Sequence, residues 1–91
     1  MPARAVVLYT SAPDVLTKAP LHFAAHKQRL DEFHARGELL LVGTFGDAQA
    51  EGSMAIFASR GAAEEFVSAD PFVLNGVVAA HDVRDWNEVY G

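Results

Sequence analysis

Two periodicities alternate along this chain at intervals too short for anything but a small layered fold. Phe23, His26, Leu30, Phe33 and Gly37 recur at three-four-three-four spacing, which lines them along one face of a helix, while Lys27, Gln28, Asp31, Glu32 and Arg36 lie largely off that stripe. Gly37 suits the left-handed position that closes a helix. The run Glu38 to Phe45, ELLLVGTF, follows at once as a strand. Before the helix, Arg4 to Ser11, RAVVLYTS, is rich in β-branched and aromatic residues and stops at the turn-prone SAPD, so it reads as a first strand, with the helical pattern beginning after Pro20. Its continuous apolar character predicts a central position in a sheet.

The second half repeats the alternation. GDAQAEG reads as a loop and Ser53 to Ser59, SMAIFAS, as a third strand, making a hairpin with the second. Ser59 can cap a second helix whose Ala62, Ala63, Phe66, Val67 and Ala69 face inward, while Glu64 and Glu65 face water and favour the positive end of the helix dipole. VVAAHDVRDW is the last strand, with Val77, Ala79, His81 and Val83 on one face. The order β-α-β-β-α-β has few compact solutions. Two right-handed crossovers with both helices on one face give an α+β, ferredoxin-like sandwich of a four-stranded antiparallel sheet and two helices. The opposite sheet face then carries apolar side chains without cover, and the expected cover is the same face of a second copy in a twofold homodimer.

Composition sets the limits around that fold. With 91 residues and 51% hydrophobic content, a single domain over residues 1–91 is expected, and its thin core makes association favourable. The absence of cysteine excludes disulfides, thiolate catalysis and cysteine-ligated metal centres, and fits a reducing interior, so the cytoplasm is the expected location. Met1-Pro2-Ala3-Arg4 leads straight into the first strand, and no apolar run approaches the ~20 residues of a membrane span. The net charge of −5, with seven scattered Lys and Arg residues, argues against nucleic acid as a partner.

Within this frame, a few side chains stand out chemically. His26 interrupts an apolar stripe and so points toward the sheet, where a half-buried imidazole needs a partner. Asp70, in SADPF, ends the second helix on the same sheet face. It also precedes Pro71 as a good N-cap and first-helical-residue pair, so it can start a single turn, Pro71 to Leu74, that Asn75-Gly76 closes. A carboxylate has enough lone pairs for both roles. His22 lies four residues before His26, a spacing that two metal ligands can share, but no further ligand follows at a recognisable interval and no metal is expected. His34 borders the stripe as a solvated residue. His81 and Asp82 are adjacent on a strand and face opposite ways. Ser53, directly after Gly52, either lines a cleft or merely begins a strand, and Tyr9 and Trp86 are candidate pocket walls. No glycine-rich phosphate cradle is present.

The blocks HKQRLDEFHARGELLLVG, EGSMAIF and SADPFVLNGVV, in this order and spacing, give the chain a resemblance to the YciI-like (YCII-related) proteins from Arg4 to Val89. The most specific elements are His26 with Gly37 eleven residues later, GELLLVG ending at Gly43, Gly52-Ser53, and the motif from Asp70 to Gly76. The resemblance implies a ferredoxin-like fold that dimerises as an α+β barrel, similar in architecture to muconolactone isomerase. It further implies an active-site pair, His26 and Asp70, with Ser53 as a neighbour in the same cleft. One branch of the family removes chloride from chlorinated hydroxyquinols. Two positions depart from the family pattern: Phe23 stands where a basic residue often precedes the histidine, and Thr44 where a proline often follows the second-strand glycine.

Two functional readings follow. In the first, His26, oriented by Asp70, transfers a proton on a cyclic enol, ketone or lactone, as an isomerase or a lyase of the dehydrochlorinase type, with Ser53 and Tyr9 contacting the substrate and no cofactor. In the second, the same cleft belongs to a non-catalytic dimeric module that binds a small molecule or a protein partner. A haem or oxygen-using enzyme is disfavoured, since no ligand pattern for one is visible.

Overall fold

The computed structural model describes residues 3–91 and contains eight elements. These are β1 (Ala3–Ser11), α1 (Val15–Ala35), β2 (Leu39–Thr44), α2 (Ala48–Glu51), β3 (Ser53–Phe57), α3 (Arg60–Ser68), α4 (Pro71–Leu74) and β4 (Val78–Asn87). The four strands form one antiparallel sheet in the order β2-β3-β1-β4, so β1 is central and pairs with both β3 and β4. This is the ferredoxin-like arrangement of the α+β class.

Alternation along the strands sorts side chains between two faces. Ala5 and Val7 of β1 and Ala55 and Phe57 of β3 point to one side, where they meet Phe33 of α1 and Ala63, Phe66 and Val67 of α3 in a single buried cluster. Both long helices therefore cover the same face. Phe33, Phe57 and Phe66 pack edge-on or tilted at centroid distances of 5.1 to 6.4 Å. Arg29 lies against Phe33 and Phe66 and donates to the carbonyls of Glu65 and Phe66 in the last turn of α3, as a second donor beside Ser68 Oγ and Ala69 N–H. The opposite face presents Val6 and Leu8 of β1, Met54 and Ile56 of β3, Leu41 of β2 and Trp86 of β4, with no helix over them. Leu41 is 66% exposed and Trp86 42%.

Local chemistry explains where the elements begin and end. α1 starts at Val15 rather than after Pro20, and the proline lies inside the helix at an exposed position, where its fixed φ is compatible with helix. The helix closes at Gly37, φ 75°, with Gly37 N–H on the His34 carbonyl and Glu38 N–H on the Phe33 carbonyl, a left-handed stop. The stretch read as a plain loop contains the single turn α2. Asp47 accepts from Ala50 N–H while Glu51 accepts from Asp47 N–H, reciprocal bonds that stabilise a turn too short to show a periodicity. Ser59 caps α3 through Ala62 N–H at 3.1 Å. Ala69, expected inside, is exposed because it follows the helix and no longer keeps its phase. β4 begins one residue later than expected. A register shift between the Thr10 and Ser11 pairings breaks its alternation at Ala79, which is exposed, and leaves Val77 buried before the strand; His81 keeps its register opposite Tyr9 and is exposed on the edge strand.

Candidate active site

The site is assembled at the junction between α3 and α4. The chain leaves α3 at Ser68, and Asp70 takes up extended backbone angles as the N-cap of α4, with Pro71 at the first helical position. Its Oδ1 accepts from Phe72 N–H at 3.2 Å. The same carboxylate meets His26 of α1: Nδ1 lies 2.6 Å from Oδ1. Asp70 is thus both a helix cap and the partner of an imidazole, and it is completely buried, at 0% exposure.

A third donor completes the group. Tyr9, on the core-facing side of β1, donates its hydroxyl to Asp70 Oδ2 at 2.7 Å. Asp70 therefore receives an amide, a phenol and an imidazole, which makes an ionised carboxylate tolerable in a place without water. Burial first, then the Asp70 carboxylate and the hydrogen bond to it, push the Tyr9 phenol well above its ordinary range, so Tyr9 stays protonated. An acceptor-only carboxylate requires a proton on His26 Nδ1, and Nε2 of the neutral ring then carries the lone pair. The ring is fixed on two sides. Phe72 stacks on it at a centroid distance of 3.8 Å with planes 3° apart, and Phe66 meets it edge-on at 6.3 Å.

His26, Tyr9 and Ser53 line one narrow cleft between α1 and the sheet, closed by Val7, Leu30 and Phe57 among other apolar side chains. The cavity volume is about 30 Å³, enough to admit water. A wider groove of about 300 Å³ between α1 and β2 adjoins it, sharing Leu30 and Val42 as a common wall. Ser53 reaches the cleft because Gly52 lets β3 start against β1. Gly52 adopts φ 79°, and a Cβ there would fall 1.9 Å from the Tyr9 carbonyl oxygen.

The structure thus gathers Tyr9, His26, Ser53 and Asp70 at one place. Trp86, expected as a pocket wall, instead pairs with Arg4 on the helix-free sheet face and does not line the cleft. His34 and His81 are exposed, and among the described residues no group of three or more His, Asp or Glu side chains is placed to hold a metal ion. Two contacts were not foreseen. The Tyr9 bond to Asp70 was accessible in principle, since Tyr9 lies two residues after Val7 and so shares its face. The Phe72 stack had no signal, because one turn of helix carries no periodicity from which to read a direction.

An antiparallel ferredoxin-like sheet with a buried carboxylate and imidazole under its helices defines a class of small α+β proteins, and comparison narrows it. The model of the YCII-related domain matches residues 3–87, and the chain belongs to that family. Among solved structures, it is similar to 5-chloro-2-hydroxyhydroquinone dehydrochlorinase (TftG) from Burkholderia phenoliruptrix AC1100, in complex with 2,5-dihydroxybenzoquinone. The TM-score is 0.72 and the identity 26%, over 92% of this chain and 93% of that one. No curated protein sequence matches the chain. Among the described residues, no helix is long and apolar enough to cross a membrane.

Proposed function

We propose that this protein is a small-molecule enzyme in which His26, held by Asp70, moves a proton on a cyclic enol, ketone or lactone. The observation that carries this reading is the 2.6 Å contact between His26 Nδ1 and Asp70 Oδ1 beside a cleft that His26 itself lines. Nε2 takes a proton from an acidic C–H or O–H of the substrate. The electron pair left behind either returns to another ring carbon with the same proton, an isomerisation, or expels a leaving group such as chloride, an elimination. Asp70 stabilises the imidazolium formed in between. Similarity to a dehydrochlorinase supports the second outcome. Ser53 offers a hydroxyl to a substrate oxygen, and the Tyr9 ring forms part of the wall. The recess beside His26 is small, and the wider groove that shares Leu30 and Val42 with it offers room for the rest of a ring.

The test is a panel of hydroxylated quinols, cyclic enols and lactones, screened first by thermal shift and then for conversion, since a ligand that binds the native state raises its melting temperature with occupancy. A compound that both stabilises and is converted supports the enzyme. Saturable stabilisation without conversion would instead indicate the non-catalytic binding module. The same reading includes a homodimer closed over the apolar sheet face of Leu8, Ile56, Leu41 and Trp86, an uncovered surface of the kind that marks association. Sedimentation velocity should then show a dimer for the native chain and a monomer for Ile56→Lys; a native monomer would refute it.

A further inference from the structure

We propose that Tyr9 is a positioning residue: its hydroxyl occupies the second oxygen of Asp70 and so keeps that carboxylate an acceptor for His26 Nδ1–H, which leaves Nε2 as the nitrogen presented to the cleft. The consequence for catalysis rests on the proton-transfer reading above, whereas the positioning itself does not.

The argument is a count of donors at a place that water does not reach. Asp70 is 0% exposed. Oδ1 takes two donors, His26 Nδ1 at 2.6 Å and Phe72 N at 3.2 Å. Oδ2 takes one, the Tyr9 hydroxyl at 2.7 Å. Deleting that hydroxyl while keeping the ring leaves a buried carboxylate oxygen with no partner, which costs more than the lost bond itself. One repair is open to the site. A proton from solvent adds at Nε2, on the ring that lines the cleft, and the Nδ1 proton passes to Asp70, so the site gains one proton in all. The neutral carboxyl group then donates to Nδ1, the imidazole holds its one hydrogen on Nε2, and the nitrogen that served as a base has become a donor. The phenol thereby controls the tautomer of a ring it does not touch.

The same geometry removes Tyr9 from the roles that its place in the cleft wall would otherwise allow. Its O–H is committed to Asp70, so only the ring and the acceptor side of the oxygen remain for a ligand. Burial and the neighbouring carboxylate hold its proton in place, so it does not serve as a general acid.

The experiment is nitrogen-15 NMR of the imidazoles at a pH where His26 carries one proton. In the native protein, His26 is expected as the Nδ1–H tautomer. In Tyr9→Phe, the ratio of Nδ1–H to Nε2–H forms should fall by about tenfold, the scale set by one hydrogen bond to a charged group. Tyr90→Phe serves as the control, because Tyr90 is 93% exposed and should leave the ratio unchanged. A folded Tyr9→Phe variant with the native tautomer ratio would overturn the proposal. A second measurement needs no variant: the Tyr9 hydroxyl proton should appear as a slowly exchanging signal with a cross-peak to the Asp70 β-hydrogens, and a freely exchanging hydroxyl would also overturn it. Once a substrate is known, Tyr9→Phe should lower kcat while leaving KM nearly unchanged. If the tautomer changes in Tyr9→Phe while His26→Ala turns over normally, the positioning stands and the proton-transfer reading fails.

Discussion

The ring of Phe72 lies flat against the imidazole of His26, with centroids 3.8 Å apart and planes inclined by 3°. Phe72 is two residues beyond Asp70 in the single turn α4, so one short segment supplies both the carboxylate that binds the edge of the imidazole and the aromatic plate that binds its face. An apolar plate on one side and a carboxylate at one nitrogen leave the ring little freedom to tilt or flip.

Replacing Phe72 with Leu should therefore act on the site more than on the fold. The stack is worth about 0.5–1.5 kcal/mol beyond area burial, and Phe72 is only partly buried, so a loss of about 1–2 kcal/mol in stability is expected. The ring-plane constraint should be lost as well, giving broadened His26 ring signals in NMR while the amide spectrum elsewhere is preserved. Sharp, unshifted His26 signals in a folded Phe72→Leu protein would show that the stack does not orient the ring.

Gly52 should tolerate no side chain. Its φ of 79° is unfavourable for L-residues, and the Tyr9 carbonyl 1.9 Å from an added Cβ is backbone that cannot swing aside. Gly52→Ala should lower stability by about 2–4 kcal/mol, combining left-handed strain with a local separation of β3 from β1. Urea denaturation measures this directly. Gly43, whose added Cβ would meet nothing within 4 Å, is the matched control, and equal losses at the two positions would refute the argument.

Alkaline stability should depend on Tyr9. Burial and Asp70 raise the folded-state pKa of the phenol above its ordinary value near 10. The folded protein then keeps a proton that the unfolded chain releases. The contribution is fully present below about pH 10 and is lost as the pH rises from there toward the folded value, at up to about 1.4 kcal/mol per pH unit. Tyr9→Phe removes this slope, so denaturation midpoints measured at increasing alkaline pH should fall less steeply in the variant. Parallel slopes would contradict the burial and bonding described.

How much of this was legible in the sequence varied with the length of the signal. The long stripe through Leu30 and Phe33 and the β-rich runs on either side of it gave the element order, and the order gave the sheet, because few topologies accommodate it. Pro20 concealed the first turn and a half of α1, since a proline reads as a boundary even where the helix runs through it. α2 and the bulge in β4 were hidden for another reason: each is fixed by a few specific hydrogen bonds rather than by a repeating pattern. At the site, His26 was conspicuous because it broke an apolar stripe, and Asp70 because a proline followed it. The face that Tyr9 takes follows from strand alternation, but its bond to Asp70 depends on tertiary packing, and the direction of Phe72, set by one turn of backbone, leaves no trace in residue order.

The central claim is that His26 acts as a base. Once the panel identifies a converted compound, the decisive measurement is kcat for His26→Ala beside the native enzyme, with circular dichroism confirming the fold. A general base contributes ~10²–10⁴-fold, so turnover should drop by that factor with the fold retained. A folded His26→Ala protein that converts the compound at the native rate would contradict it.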